Sequence, residues 1–239
     1  MSTRTLRARI AEPMSGLDSV WKALGRQLRH PSGFAGRVIG HAMAIANRRP
    51  NRIGIDALEI APGDIVLELG FGPGRAVKQL ASLIGDGQVL GIDQSAAMLE
   101  LASRHNRRAI TSGRVELRHG TFDALPWPTA SVDKVLAVNT VYFFRADAAE
   151  IQEARRVLRP GGLMALYATD TSVMARWRFS GPDTHRTFDR DGLAALLRTG
   201  GFDADDITIL PVDIGFRIAG LLALARKPID IVGNRKVPR

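Results

Sequence analysis

Cysteine is absent from the 239 residues, which excludes a disulfide framework, a thiolate metal site and a cysteine nucleophile. Aromatic residues make up only 6% of the chain, among them two tyrosines and three tryptophans, so few ring systems are available to build a site. No uninterrupted apolar stretch approaches the roughly 18 residues that a membrane span requires. Arg4, Arg7 and Arg9 open the chain without an apolar run behind them, which argues against a secretory signal. The Gly-Lys-Ser/Thr of a nucleoside triphosphate loop is missing. No Asp/Glu/His group has metal-ligand spacing, so chemistry without a metal is expected. What is present is an apolar content of 45%, enough for one well-packed domain with additions.

Acidic residues are scarce at both ends. The formal net charge of +9 divides unevenly: residues 1–58 carry ten Lys/Arg against three Asp/Glu, residues 226–239 five against one, and the middle eighteen against twenty. The basic character therefore belongs to the ends. It fits a solvated surface, or contact with an acidic partner such as nucleic acid or anionic lipid.

The chain is organised around G-D-I-V-L-E-L-G-F-G-P-G, residues 63–74. Ile65 to Leu69 reads as a central parallel strand, closed by glycines at alternate positions, Gly70, Gly72 and Gly74. Arg75 to Ile84 places Ala76, Val77, Leu80, Ala81 and Ile84 on one helical face. Strand, glycine turn and helix open a doubly wound α/β domain, with a ligand expected beyond the strand's carboxyl end.

Further strands are expected at Gln88 to Ile92, ending at Asp93, then at Val115 to Leu117, Val132 to Val138 and Leu163 to Ala168. Ser95 is placed to cap the helix that carries Met98, Leu99 and Ala102. Ala146 to Leu158 is helical until Pro160-Gly161-Gly162 stops it, and Arg190 to Thr199 until Gly200-Gly201. Ile207 to Val212 and Ile218 to Ala225 are read as an antiparallel pair at the sheet edge, because no helix separates them. Before the central strand, short helices are expected at Phe34 to Ala46 and Asn51 to Ile60, with a weaker stripe on Val20, Leu24 and Leu28. Residues 171–189 show no period and suit an insertion over the mouth of the sheet. The division is a basic helical extension over 1–54 that covers the substrate side, a domain over 55–228, and a basic tail over 229–239.

A nicotinamide fingerprint would need glycine or alanine where Arg75 or Val77 stands. Asp93 ends the second strand where a carboxylate can accept hydrogen bonds from both hydroxyls of a ribose. At this point the sequence resembles the class I S-adenosylmethionine-dependent methyltransferases, especially the small-molecule branch that includes ubiquinone- and menaquinone-biosynthesis enzymes. The resemblance rests on V-L-E-L-G-F-G-P-G (66–74), G-I-D-Q-S (91–95), G-T-F-D-A-L-P-W-P (120–128), V-N-T-V-Y-F-F (138–144) and E-A-R-R-V-L-R-P-G-G (153–162), in the family's order and spacing.

The resemblance implies a three-layer, Rossmann-like, seven-stranded sheet, mostly parallel with an antiparallel edge strand. It implies S-adenosylmethionine as the methyl donor and a small organic molecule as the acceptor. It assigns the donor's methionine part and sugar to Gly70, Gly72 and Gly74, its ammonium to Glu68, its ribose to Asp93, and its adenine to Met98, Phe122 and Asp123, with Gln94 and Thr121 also counted among the donor-binding residues. Asn139 and Thr140 fall beside the amino-acid part. Tyr142, His41, Asp170 and His185 are candidates for a general base at the mouth, Tyr142 being best placed because it follows the fourth strand. The expected setting is cytoplasmic, with peripheral membrane contact left open, as a monomer or homodimer. A phospholipid or lipid-precursor acceptor, a nucleic-acid acceptor and a non-catalytic donor-binding protein are the competing readings. The fourth-strand motif lacks the Asn/Asp-Pro-Pro-Tyr/Phe of amino-directed nucleic-acid enzymes. A narrow apolar pocket beside the donor would favour a small hydrophobic acceptor, an open basic groove nucleic acid.

Overall fold

The structure, a computed structural model, describes residues 45–180 and 185–229 together with Trp21, Gly25 and Met43. The stripe over 20–28 and most of the helix expected over 34–46 lie outside the described residues, as does His41. Among the described residues no helix is long and apolar enough to cross a membrane.

In chain order the main elements are α1 (Arg48–Ala57), β1 (Ile65–Leu69), α2 (Arg75–Leu83), β2 (Gln88–Asp93), α3 (Ala96–His105), α4 (Arg107–Thr111) and β3 (Val115–His119). They continue with β4 (Val132–Val138), α5 (Ala149–Val157), β5 (Leu158–Thr169), α6 (Thr171–Met174), α7 (Arg190–Thr199), β6 (Ile207–Asp213) and β7 (Ala219–Arg226). The seven strands form one sheet in the order β3-β2-β1-β4-β5-β7-β6. All neighbours from β3 to β5 are parallel, whereas β7 runs against both β5 and β6. The expected pair is therefore present, with the later strand on the inside and β6 outermost.

β1 is central and almost continuously buried, as a parallel strand covered on both faces must be. Leu67 and Leu69 pack toward Ile151, Ala154, Leu193 and Leu197, from α5 and α7. Val66 packs toward Ile55, Val77, Leu80 and Met98, from α1, α2 and α3. Because side chains alternate along a strand, Glu68 shares the face of Val66. Order reverses between β1 and β4, so the carboxyl ends of these two strands splay into a crevice, the position at which open α/β sheets bind ligands.

Several boundaries differ from the sequence expectation. α1 begins three residues early because Pro50 sits in its first turn, where a missing N–H costs nothing. α5 begins at Ala149 rather than Ala146, since Ala148 holds a left-handed conformation (φ 56°). Pro160-Gly161-Gly162 ends no isolated turn but belongs to β5, whose opening half pairs with the chain after β7. The Gly161 N–H donates to Lys227 O at 2.8 Å, and the Lys227 N–H to Gly162 O at 2.9 Å. The short helices α4 and α6 have no apolar period to announce them; the Asp170 side chain caps α6, whereas Asn106 Nδ2 donates back to Ala102 O in the last turn of α3.

Gly220 marks how closely β7 approaches β5. A Cβ at this position would overlap the Tyr167 hydroxyl and lie 2.6 Å from two ring carbons of that fully buried side chain. Overpacking a rigid buried ring costs about 1–3 kcal/mol, so Gly220→Ala should lower stability by that amount in urea unfolding.

Candidate active site

The glycine loop after β1 is a set of close approaches. Gly70, Gly72 and Gly74 all have positive φ, at 75°, 50° and 75°, a region that side chains rarely occupy. A Cβ on Gly70 would overlap the Thr140 methyl, and one on Gly74 would lie 2.6 Å from Asn106 Nδ2. Around Gly72 a Cβ would meet nothing, so this turn faces open space. The loop is pinned from the α3 side, where Asn106 Nδ2 donates to Gly74 O at 3.0 Å and His105 Nδ1 lies 2.8 Å from Pro73 O.

Asp93 joins the end of β2 to this loop. One carboxylate oxygen accepts from the Gly72 N–H and the other from the Ser95 N–H, each at 2.8 Å. Each oxygen keeps a second lone pair. Burial pushes this carboxyl upward, while the two backbone amides oppose the shift. Glu68 stands deeper. It is 4% exposed and its Oε2 has no hydrogen-bond partner among the described residues. Burial, reinforced by the nearby Asp93 charge, raises its carboxyl to about 8. The buried Thr140 Oγ1 is likewise unpartnered.

Together these groups line a cavity with Gln94, Met98, Phe122 and Asn139. A second chamber of about 530 Å³ adjoins it, the two sharing Met43, Asn47, Asn139 and Phe143 as walls. The divide is a hydrogen-bonded hub. Asn139 Nδ2 donates to Asn47 Oδ1 at 2.9 Å, and the Tyr142 hydroxyl donates to Asn139 Oδ1 at 2.6 Å. The Thr169 N–H in turn donates to the Tyr142 hydroxyl at 2.6 Å. The side chain of Asn139 reaches both cavities because its backbone adopts φ 56° immediately after β4.

The methyltransferase-domain family matches residues 66–162. The uncharacterised methyltransferase YdaC of Bacillus subtilis (strain 168) is 31% identical over 191 residues, 80% of this chain and 98% of that protein. The chain belongs to the class I S-adenosylmethionine-dependent methyltransferases. The O-methyltransferase cnsE of Penicillium expansum is 28% identical over 176 residues, and there the match spans 70% of this chain but only 62% of the relative. A methyltransferase of known structure from Aquifex aeolicus shares the fold with a TM-score of 0.57 at 18% identity, over 73% of this chain and 89% of that one.

The residues of this methyltransferase fit its methyl donor. The unpartnered Glu68 carboxylate is a buried acceptor suited to an ammonium, and the spare lone pairs of Asp93 suit a pair of hydroxyls. Met98 and Phe122, both buried, supply apolar surface for a base. Gln94, Asn139 and Thr140 line the same cavity. Thr121 and Asp123 are exposed and are not among the residues that line it.

The proton-acceptor candidates separate. Tyr142 already donates and accepts, and burial raises its phenol well above the usual range, which disfavours the phenolate form that a base requires. Asp170 caps α6, its carboxylate accepting from the Ser172 N–H at 2.8 Å, and it lies outside both cavities. His185 is buried in the second chamber against the rings of Tyr142, Phe143 and Phe179, with centroids 5.1–6.1 Å away. Sequence reasoning missed Asn47, Asn51, Arg75 and Phe143 in the first cavity and the Ile214–Ile218 turn in the second. No local pattern marks the asparagines. Only the aromatic doublet Phe143-Phe144 beside Tyr142 could have drawn attention to its segment.

Glu68 also carries a stability cost with a definite pH dependence. Its carboxyl titrates near 4.5 when unfolded and near 8 when folded. The folded protein therefore holds an extra proton between these values, and that stabilisation is full below the lower value and lost as pH rises through the upper one. Glu68→Gln should be more stable than the parent by about 1–3 kcal/mol at the upper end of this window, with the difference vanishing at its acid end. Urea unfolding of the ligand-free proteins across the window checks this.

Proposed function

We propose that this enzyme methylates a small organic acceptor by in-line displacement, with donor and acceptor meeting across Asn139. The carrying observation is the shared lining: the cavity that suits the donor adjoins an apolar chamber, and Met43, Asn47, Asn139 and Phe143 line both. S-adenosylmethionine supplies an activated methyl group on a sulfonium. The chain's work is then positioning and water exclusion, which together can contribute most of the acceleration of such a transfer.

In this reading the glycine loop bends around the methionine part and sugar, Glu68 holds the ammonium and Asp93 the ribose hydroxyls. Met98 and Phe122 flank the adenine. Tyr142 acts as a positioning residue that fixes the Asn139 amide, rather than as a base. His185 lines the chamber and is the residue we assign to any proton transfer there. Residues 1–54 and 171–189 serve as the acceptor-side cover, a reading supported by Met43 and Asn47 from one and Trp177, Phe179 and His185 from the other. The resemblance to quinone-biosynthesis enzymes is compatible with such a chamber, and the O-methyltransferase relative acts on an oxygen. A nucleic-acid acceptor is not favoured, since the chamber is lined mainly by aromatic and aliphatic side chains rather than being an open basic groove.

Two measurements test this assignment. Hydrogen bonds to a carboxylate are worth about 1.5–3 kcal/mol each, so Asp93→Ala should weaken S-adenosylhomocysteine binding at least about tenfold in calorimetry. Unchanged affinity would overturn the placement of the donor. Tyr142→Phe removes the donor to Asn139 but leaves the ring. Its kcat should fall by less than about tenfold with an unshifted pH profile, whereas loss of a general base costs about 10²–10⁴.

A further inference from the structure

The chamber has a chemistry of its own. Its faces are Tyr142, Phe143, Trp177 and Phe179, with Trp177 and Phe179 stacked at 5.4 Å between centroids. Its charged lining consists of two guanidiniums, Arg48 and Arg49, and no carboxylate is found among its described residues. An aromatic box can attract an ammonium. Here that cation would be desolvated beside two positive groups, with no counter-charge among the described residues, which disfavours it. A neutral or anionic molecule with a flat ring system meets no such penalty, and offset stacking on the walls favours it.

The outer rim is formed by the turn between β6 and β7. The Ile218 N–H donates to Gly215 O at 3.0 Å, closing a tight turn whose two central residues are Phe216 and Arg217. Both are left-handed, with φ of 55° and 60°, the conformation that hairpin turns normally reserve for Asn-Gly. Phe216 is 96% exposed, so burial offsets none of that strain. The turn is held in place from two sides. Arg49 Nη1 donates to Ile214 O at 3.1 Å, and Arg176 Nη2 to Arg217 O at 3.2 Å. Folding alone gives no reason for a phenyl group at this position, yet it lines the chamber mouth. Strain without a packing return is the pattern found at functional positions.

We propose that the acceptor is a neutral or anionic molecule carrying a planar aromatic ring system, and that Phe216 closes on its outer face as a specificity-determining residue. This rests on the methyl-transfer reading above.

The test uses calorimetry on the full chain with naphthol, naphthoate and a naphthyl trimethylammonium salt as probes, with and without saturating S-adenosylhomocysteine. Naphthol and naphthoate should bind at least about tenfold more tightly than the cation. Phe216→Ala should weaken both by about fivefold or more, as loss of an aromatic contact residue does, with S-adenosylhomocysteine affinity unchanged. Phe216→Gly should weaken them similarly while raising the melting temperature, because it relieves the left-handed strain. A residue placed only for folding would not separate stability from affinity in this way. The proposal is overturned if neither naphthol nor naphthoate binds, if the cation binds as tightly, or if Phe216→Ala leaves probe affinity intact. Failure of S-adenosylhomocysteine to bind the parent would instead refute the donor site, and the probe titrations without it would still decide the chamber.

Discussion

The Asp93 carboxylate is the tie on which the rest of this site depends. It gathers the amide of Gly72, from the loop after β1, and the amide of Ser95, from the start of α3. Two strand ends and a helix terminus are thereby drawn to one point, and both carboxylate oxygens retain capacity for a ligand's hydroxyls. The glycines follow from this tie. With Gly70 pressed against Thr140 and Gly74 against Asn106, no residue with a Cβ could let the loop close onto the end of β2.

The same compactness puts Glu68 where it is electrostatically unfavourable. A buried carboxyl beside a second acidic group resists ionisation, and nothing among the described residues compensates its unpartnered oxygen. Such a group weakens the ligand-free fold and is suited to a cationic ligand, the kind of local conflict expected at binding sites rather than in a core. Asn139 plays the corresponding part between the two cavities. Its left-handed backbone turns the amide across the end of the sheet, where Asn47 and Tyr142 hold it.

Much of this architecture was legible in the sequence. The run from Ile65 to Leu69, the alternate glycines and the acid closing the next strand are local signals, because strand period, left-handed turns and strand-end position all act within a few residues. Ser95 as a helix cap was legible for the same reason, and the structure shows its side chain accepting from the Met98 N–H. Asp170 and Tyr142 were harder. A residue type with acid–base capacity near a strand end looks catalytic from sequence alone, whereas the structure shows Asp170 capping α6 through Oδ1 and Tyr142 within a hydrogen-bond chain.

What the sequence by itself determined is the order of strands and helices, the parallel sheet with its antiparallel pair, and the acid and glycines that meet at the ends of β1 and β2. What only the tertiary structure decided is the second chamber. Asn47 and Asn139 are 92 positions apart yet hydrogen-bonded, and Phe216 reaches the chamber from a hairpin whose two central residues, Phe216 and Arg217, are not turn formers. Backbone pattern is written in neighbouring residues, whereas a chamber wall is assembled from segments that meet only once the sheet has brought their ends together.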